Sequence, residues 1–100
     1  MQAVKRWDSQ GVNKMKPILY FAHWCPDTAP FVAELERLNV DYDAVDLTLN
    51  GGNFKPFLRL RDRHTAFENA KANGYIGIPA LLLADERVVL DKDELETVFK

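Results

Sequence analysis

The feature that most constrains this chain is an unbroken apolar run, Ile18-Leu19-Tyr20-Phe21-Ala22, that leads straight into a proline-containing corner. The run is apolar at every position and too short to be a helix in its own right, so it reads as a strand buried on both faces. A strand covered on both sides needs layers packed above and below its sheet, which points to an α/β architecture. The next residues, His23-Trp24-Cys25-Pro26-Asp27-Thr28, open a helix. Pro26 suits a first helical position, where its missing N–H costs nothing. Asp27 and Thr28 suit a first turn, and Phe31, Leu35 and Leu38 come after them at helical spacing. Asn39 is the expected stop.

The remaining elements alternate in the same way. Tyr42 to Leu47 has period two and reads as a second strand. Asn50-Gly51-Gly52-Asn53 is a loop. Lys55 to Ala72 reads as one helix, with Phe57, Leu60, His64 and Phe67 on its inner face and Gly74 past its end. Ile78 to Ala84 enters a third strand. Asp85-Glu86 turns the chain into a fourth, Arg87 to Leu90, giving a hairpin. Asp91 to Phe99 forms a last helix. The order β-α-β-α-β-β-α predicts a four-stranded mixed sheet flanked by helices, with the first two strands parallel.

At 100 residues the chain holds one domain. Residues 15–100 carry the pattern. Residues 1–14 show no periodicity, no apolar core of a signal peptide and no cleavage site. They read as an N-terminal extension or a vector remnant; the alternative is a short helix docked through Val4 and Trp7. A net charge of −2 offers nothing to a phosphate backbone, so no nucleic-acid partner is expected. The longest apolar stretch, Ile76 to Ala84, is broken by Gly77 and Pro79 and falls far short of the ~20 residues that span a bilayer, so no membrane partner is expected either. A single cysteine excludes an internal disulfide and a cysteine-based zinc site. No His-x-Glu or His-Glu-x-x-His spacing suggests another metal. Oligomeric state leaves no mark on the sequence.

That cysteine, Cys25, stands where a buried strand hands over to a helix. Thiolate is the reactive form, and the unpaired N–H groups and dipole of a first turn stabilise it. Thr28 is placed to offer a backbone N–H and a hydroxyl to the sulfur. The competing reading is a small buried hydrophobe, the usual fate of a free cysteine. His23 either assists ionisation or is a solvated loop histidine. His64 reads as a satisfied core histidine. Lys55, Arg59, Arg61 and Arg63 form either a solvated helix surface or a basic side for an anionic ligand.

Taken together, residues 15–100 resemble the glutaredoxin branch of the thioredoxin fold. The resemblance rests on the apolar strand before Trp24-Cys25-Pro26, the Cys-Pro-Asp-Thr tetrad at Cys25 to Thr28, Gly77-Ile78-Pro79 before the third strand, the hairpin, and the acidic start of the last helix. It is nearest to bacterial glutaredoxin-related proteins that carry Cys-Pro-Asp-Thr and a phrase like Phe-Leu-Arg-Leu-Arg-Asp, here Phe57 to Asp62. The resemblance implies a thioredoxin-like fold and thiol–disulfide exchange, with glutathione or a protein disulfide as partner. No bound cofactor is implied, glutathione entering as co-substrate. Cys25 matches the attacking cysteine, and Thr28 holds the place of the resolving cysteine, which makes the chain monothiol. Pro79 matches the family's cis-proline and Ile78 the neighbour whose backbone pairs with glutathione. Asp93 matches the acid that meets glutathione's amino end.

Several positions depart from the family. Ala22 replaces a usual lysine, Tyr75 and Ile76 replace basic or amide residues, and Leu90-Asp91 replaces Gly-Gly. These changes remove most of the clamp for glutathione's carboxylates, and Asp27 adds a negative charge beside the sulfur. Two classes of function are consistent with this pattern: a redox enzyme acting through Cys25, or a non-catalytic module that captures an extended peptide beside Ile78-Pro79. The cysteine usage points to the cytoplasm.

Overall fold

The computed structural model describes residues 16–49 and 51–99. The reading of residues 1–14 lies outside the described residues. The elements are β1 (Ile18–Phe21), α1 (Thr28–Arg37), β2 (Asp43–Asp46), α2 (Phe54–Arg63), α3 (Glu68–Asn73), β3 (Ala80–Leu82), β4 (Val88–Val89) and α4 (Leu95–Val98). Short 3₁₀ turns at Gly51–Asn53, Thr65–Phe67 and Lys92–Glu94 lead into α2, α3 and α4.

The four strands form one mixed sheet in the order β2-β1-β3-β4. β1 pairs with β2 in parallel, Ile18 opposite Asp43, and with β3 antiparallel, Ile18 opposite Leu82. β3 and β4 close the hairpin. The α/β class and the strand arrangement are those the sequence predicts, and they are compatible with a thioredoxin-like fold.

β1 explains the layering. Its alternate side chains enter opposite cores, as a doubly buried strand requires. Ile18 and Tyr20 join Phe57, Leu60 and Phe67 of the α2–α3 layer. Leu19 joins Phe31, Leu35 and Leu95 of the α1–α4 layer. α1 ends as expected: Asn39 takes a positive φ of 60°, and the Val40 amide donates back to the Leu35 carbonyl. Among the described residues no helix is long and apolar enough to cross a membrane.

Three helices depart from expectation; the last, expected from Asp91 to Phe99, opens as the 3₁₀ turn Lys92–Glu94 and is α-helical only over Leu95–Val98. The helix expected over Lys55 to Ala72 breaks at His64, whose ψ of 134° is extended. Its imidazole explains the break. Nδ1 accepts the Ala66 amide at 3.0 Å, and Nε2 lies 2.8 Å from the Glu86 carbonyl. A donor on one side and an acceptor on the other fix the Nε2–H tautomer. His64 is therefore a half-buried cap that ties the second helical layer to the hairpin turn, not a core residue on a helix face. The first helix begins at Thr28, because Pro26 and Asp27 are spent on the turn that precedes it.

Candidate active site

The corner between β1 and α1 is held by short-range hydrogen bonds. The Cys25 amide donates to the Ala22 carbonyl at 3.0 Å, and the Thr28 amide donates to the Cys25 carbonyl at 3.1 Å. With its main chain occupied, Cys25 meets its surroundings through its half-buried thiol. The Thr28 hydroxyl donates to the Ala22 carbonyl at 2.9 Å from a buried position. Both Thr28 donors thus go to backbone carbonyls. The expectation that they serve the sulfur is corrected: Thr28 braces the loop that carries Cys25.

His23 bonds across to the neighbouring strand. Its Nδ1 lies 2.7 Å from Asp46 Oδ2 at the end of β2. Asp46 is buried, and burial pushes its carboxyl up. The Thr48 hydroxyl at 2.6 Å, the Thr48 amide at 2.9 Å and the His23 ring outweigh that, and hold it at about 2. His23 is exposed in its loop, as one of the two readings offered by the sequence has it, and its ring is in addition engaged with Asp46. It tethers the Cys25 loop to the neighbouring strand.

The facing wall runs from Gly74 to Pro79. Gly74 caps α3 with a positive φ of 75°, and the Tyr75 amide donates to the Ala70 carbonyl at 2.8 Å. The Arg61 guanidinium donates to the Tyr75 carbonyl at 2.7 Å and to the Ile76 carbonyl at 2.9 Å. Arg61 is thereby a strut rather than part of a basic face, while Arg59, Arg63 and Lys55 lie exposed. Gly77 has a φ of 94°, and a Cβ there would stand 2.7 Å from Cδ1 of Phe67. The Ile78–Pro79 bond is cis, as expected.

Between the walls lies a groove of about 420 Å³, to which Cys25, Ile78 and Pro79 all contribute. The fold therefore brings together three of the residues singled out in the sequence. Ile78 precedes Ala80, the first paired residue of β3, so its backbone stands beyond the β1–β3 ladder. The rim is apolar and open. Trp24, Tyr75 and Ile76 border the groove, with 59%, 62% and 42% of their surface exposed. In the sequence Trp24 carries no mark of a groove residue, and Tyr75, Ile76 and Leu90 figure only as departures from the family. Large apolar groups outside any periodic face were the available signal.

A second hollow of about 330 Å³ continues the groove, sharing Asp27, Ile78, Pro79 and Leu90 with the first and adding Asp91 and Lys92. Asp93 lines neither hollow. Its amide donates to Asp91 Oδ1 at 2.9 Å, and its carboxylate pairs with Lys92 Nζ at 3.0 Å. The acid that borders the groove from the start of the last helical segment is Asp91, two positions before the expected one. Among the described residues no three His, Cys, Asp or Glu side chains converge in a way that could hold a metal ion.

No protein-family model matches the chain, and no solved structure matches it. It is 60% identical over 84 residues to a Haemophilus influenzae protein named "Uncharacterized protein". The match takes in 84% of this chain and 98% of that relative. Identity at this level over nearly the whole relative establishes kinship: the chain belongs to the family of this Haemophilus influenzae protein.

Proposed function

We propose that the chain is a monothiol, glutaredoxin-like thiol–disulfide oxidoreductase acting through Cys25. The observation that carries this reading is the meeting of a half-buried thiol and the Ile78–Pro79 segment in one groove. In the first step the Cys25 thiolate attacks one sulfur of a partner disulfide. A bond forms between the two sulfurs as the partner's S–S bond breaks, and the other half leaves as a thiolate that takes up a proton. In the second step an external thiolate attacks the partner's sulfur in the mixed disulfide: a new S–S bond joins that thiol to the partner as the bond to Cys25 breaks, and Cys25 leaves as the thiolate. Glutathione is the reductant suggested by the family resemblance, and a protein disulfide laid beside Ile78 is the substrate. A reduced, lone cysteine suits the cytoplasm, the compartment to which we assign the protein.

The test is intact-mass measurement after mixing the native protein with hydroxyethyl disulfide. One adduct on Cys25, absent from Cys25→Ser and removed by added glutathione, is the expected result. A second reading, capture of an extended peptide without turnover, is favoured by the open apolar rim of Trp24, Tyr75 and Ile76. A native protein that forms no adduct would give that reading precedence.

A further inference from the structure

The charges around the groove are unequal. Asp27 borders both hollows, and Asp91 and Lys92 border the second. The Lys92 ammonium lies 3.0 Å from the Asp93 carboxylate, so its charge is locally balanced. The Arg61 guanidinium is engaged with the Tyr75 and Ile76 carbonyls and lines neither hollow. His23 is bound to Asp46. Among the described residues no ion pair or side-chain hydrogen bond reaches the exposed Asp27 carboxylate, which caps nothing at the start of α1. A carboxylate with no ion-pair partner among the described residues thus stands in a groove whose other margin is apolar.

We infer that this groove selects cationic partners: a polypeptide disulfide with a Lys or Arg beside the reacting cysteine, its apolar neighbours resting on Trp24, Tyr75 and Ile76, with Asp27 setting the charge preference. The inference rests on the exchange reading above and names its substrate class. Charge arranged this way raises the encounter rate with partners of opposite sign and opposes those of like sign. An anionic disulfide such as oxidised glutathione is therefore the disfavoured substrate.

The test compares cystamine, which carries two ammonium groups, with dithiodiglycolate, which carries two carboxylates. The rate of adduct formation on Cys25 is followed by intact mass for the native protein and for Asp27→Asn. The ratio of the two rates divides out any change in the reactivity of the sulfur itself. The substitution should lower the cystamine-to-dithiodiglycolate ratio by roughly 3- to 10-fold at low ionic strength, and the difference should shrink in high salt. An equal ratio in the two proteins would overturn the charge preference while leaving exchange intact. If neither compound forms an adduct with native Cys25, the exchange reading falls and the charge preference falls with it.

Discussion

The two walls of the groove are built by different means. The Cys25 wall is mostly local: Ala22, Cys25 and Thr28 bond to one another within seven residues of chain, and His23 reaches further, to Asp46 and Thr48. The Gly74–Pro79 wall is held from a distance, by Arg61 on α2 and by Phe67, whose ring fills the space a Gly77 side chain would need. One wall is a turn closed by its own residues. The other is a loop that takes its shape from the helical layer behind it. The difference teaches that the thiol corner should tolerate loss of a single bond, whereas the facing wall should fail where packing is violated.

The largest effect is expected at Gly77. Gly77→Ala combines a positive φ with a contact of 2.7 Å to a buried ring, and should destabilise the fold by about 2–4 kcal/mol in chemical denaturation. A loss under about 0.5 kcal/mol would mean that the Phe67 ring yields freely and that this wall is not set by packing.

Asp46→Asn is next. The buried carboxylate accepts from Thr48 and contacts His23, and its charge-assisted bonds should make the substitution cost about 1.5–3 kcal/mol at neutral pH. The folded carboxyl, held at about 2, lies below its ordinary value of about 4. Its contribution is therefore complete above about pH 4 and is lost as pH falls through about 2, so the gap between the two proteins should close over that range. A gap that persists at pH 2 would place its origin elsewhere than in ionisation.

Thr28→Val keeps the shape and removes the hydroxyl that donates to Ala22. The Ala22 carbonyl loses that donor but keeps the Cys25 amide, so a cost of about 1 kcal/mol is expected. Exchange at Cys25 should survive, since the hydroxyl does not serve the sulfur. Abolished exchange in a folded Thr28→Val protein would restore Thr28 to a direct catalytic role.

The smallest thermodynamic effect should come from Arg61→Met, under about 1 kcal/mol for two bonds near the surface. Hydrogen exchange at Ile76 and Gly77 should nevertheless rise, because their segment loses its strut. Unchanged exchange there would assign the shape of the wall to Gly77 and Phe67 alone.

The contrast between the walls also explains what could be read from the sequence. β1, α1, the hairpin and the corner at Cys25 depend on local patterns: an unbroken apolar run, a proline and an acid just ahead of a helix, a polar turn between two apolar runs. Pro79 and Ile78 were legible through the family resemblance, which rests on Gly77-Ile78-Pro79 standing just before a strand. His64 was not, because in a periodic pattern it sits where a core residue would; its ring instead caps the Ala66 amide and reaches Glu86, 22 residues away. The roles of His23 and Arg61 depend on partners 23 and 15 residues distant. The family resemblance points to Asp93, and two acids so close at a helix start are not told apart by pattern. Which of them faces the groove depends on the 3₁₀ turn at Lys92–Glu94, where Asp91 is the cap.

The central claim, that the fold presents Cys25 for exchange, is tested most directly by comparing its rate of reaction with hydroxyethyl disulfide in the native and the denatured chain at one pH. If the corner activates the thiol, the native protein should react faster by roughly tenfold or more. A native rate equal to or below the denatured one would show that the corner shelters an inert thiol, and would contradict the account.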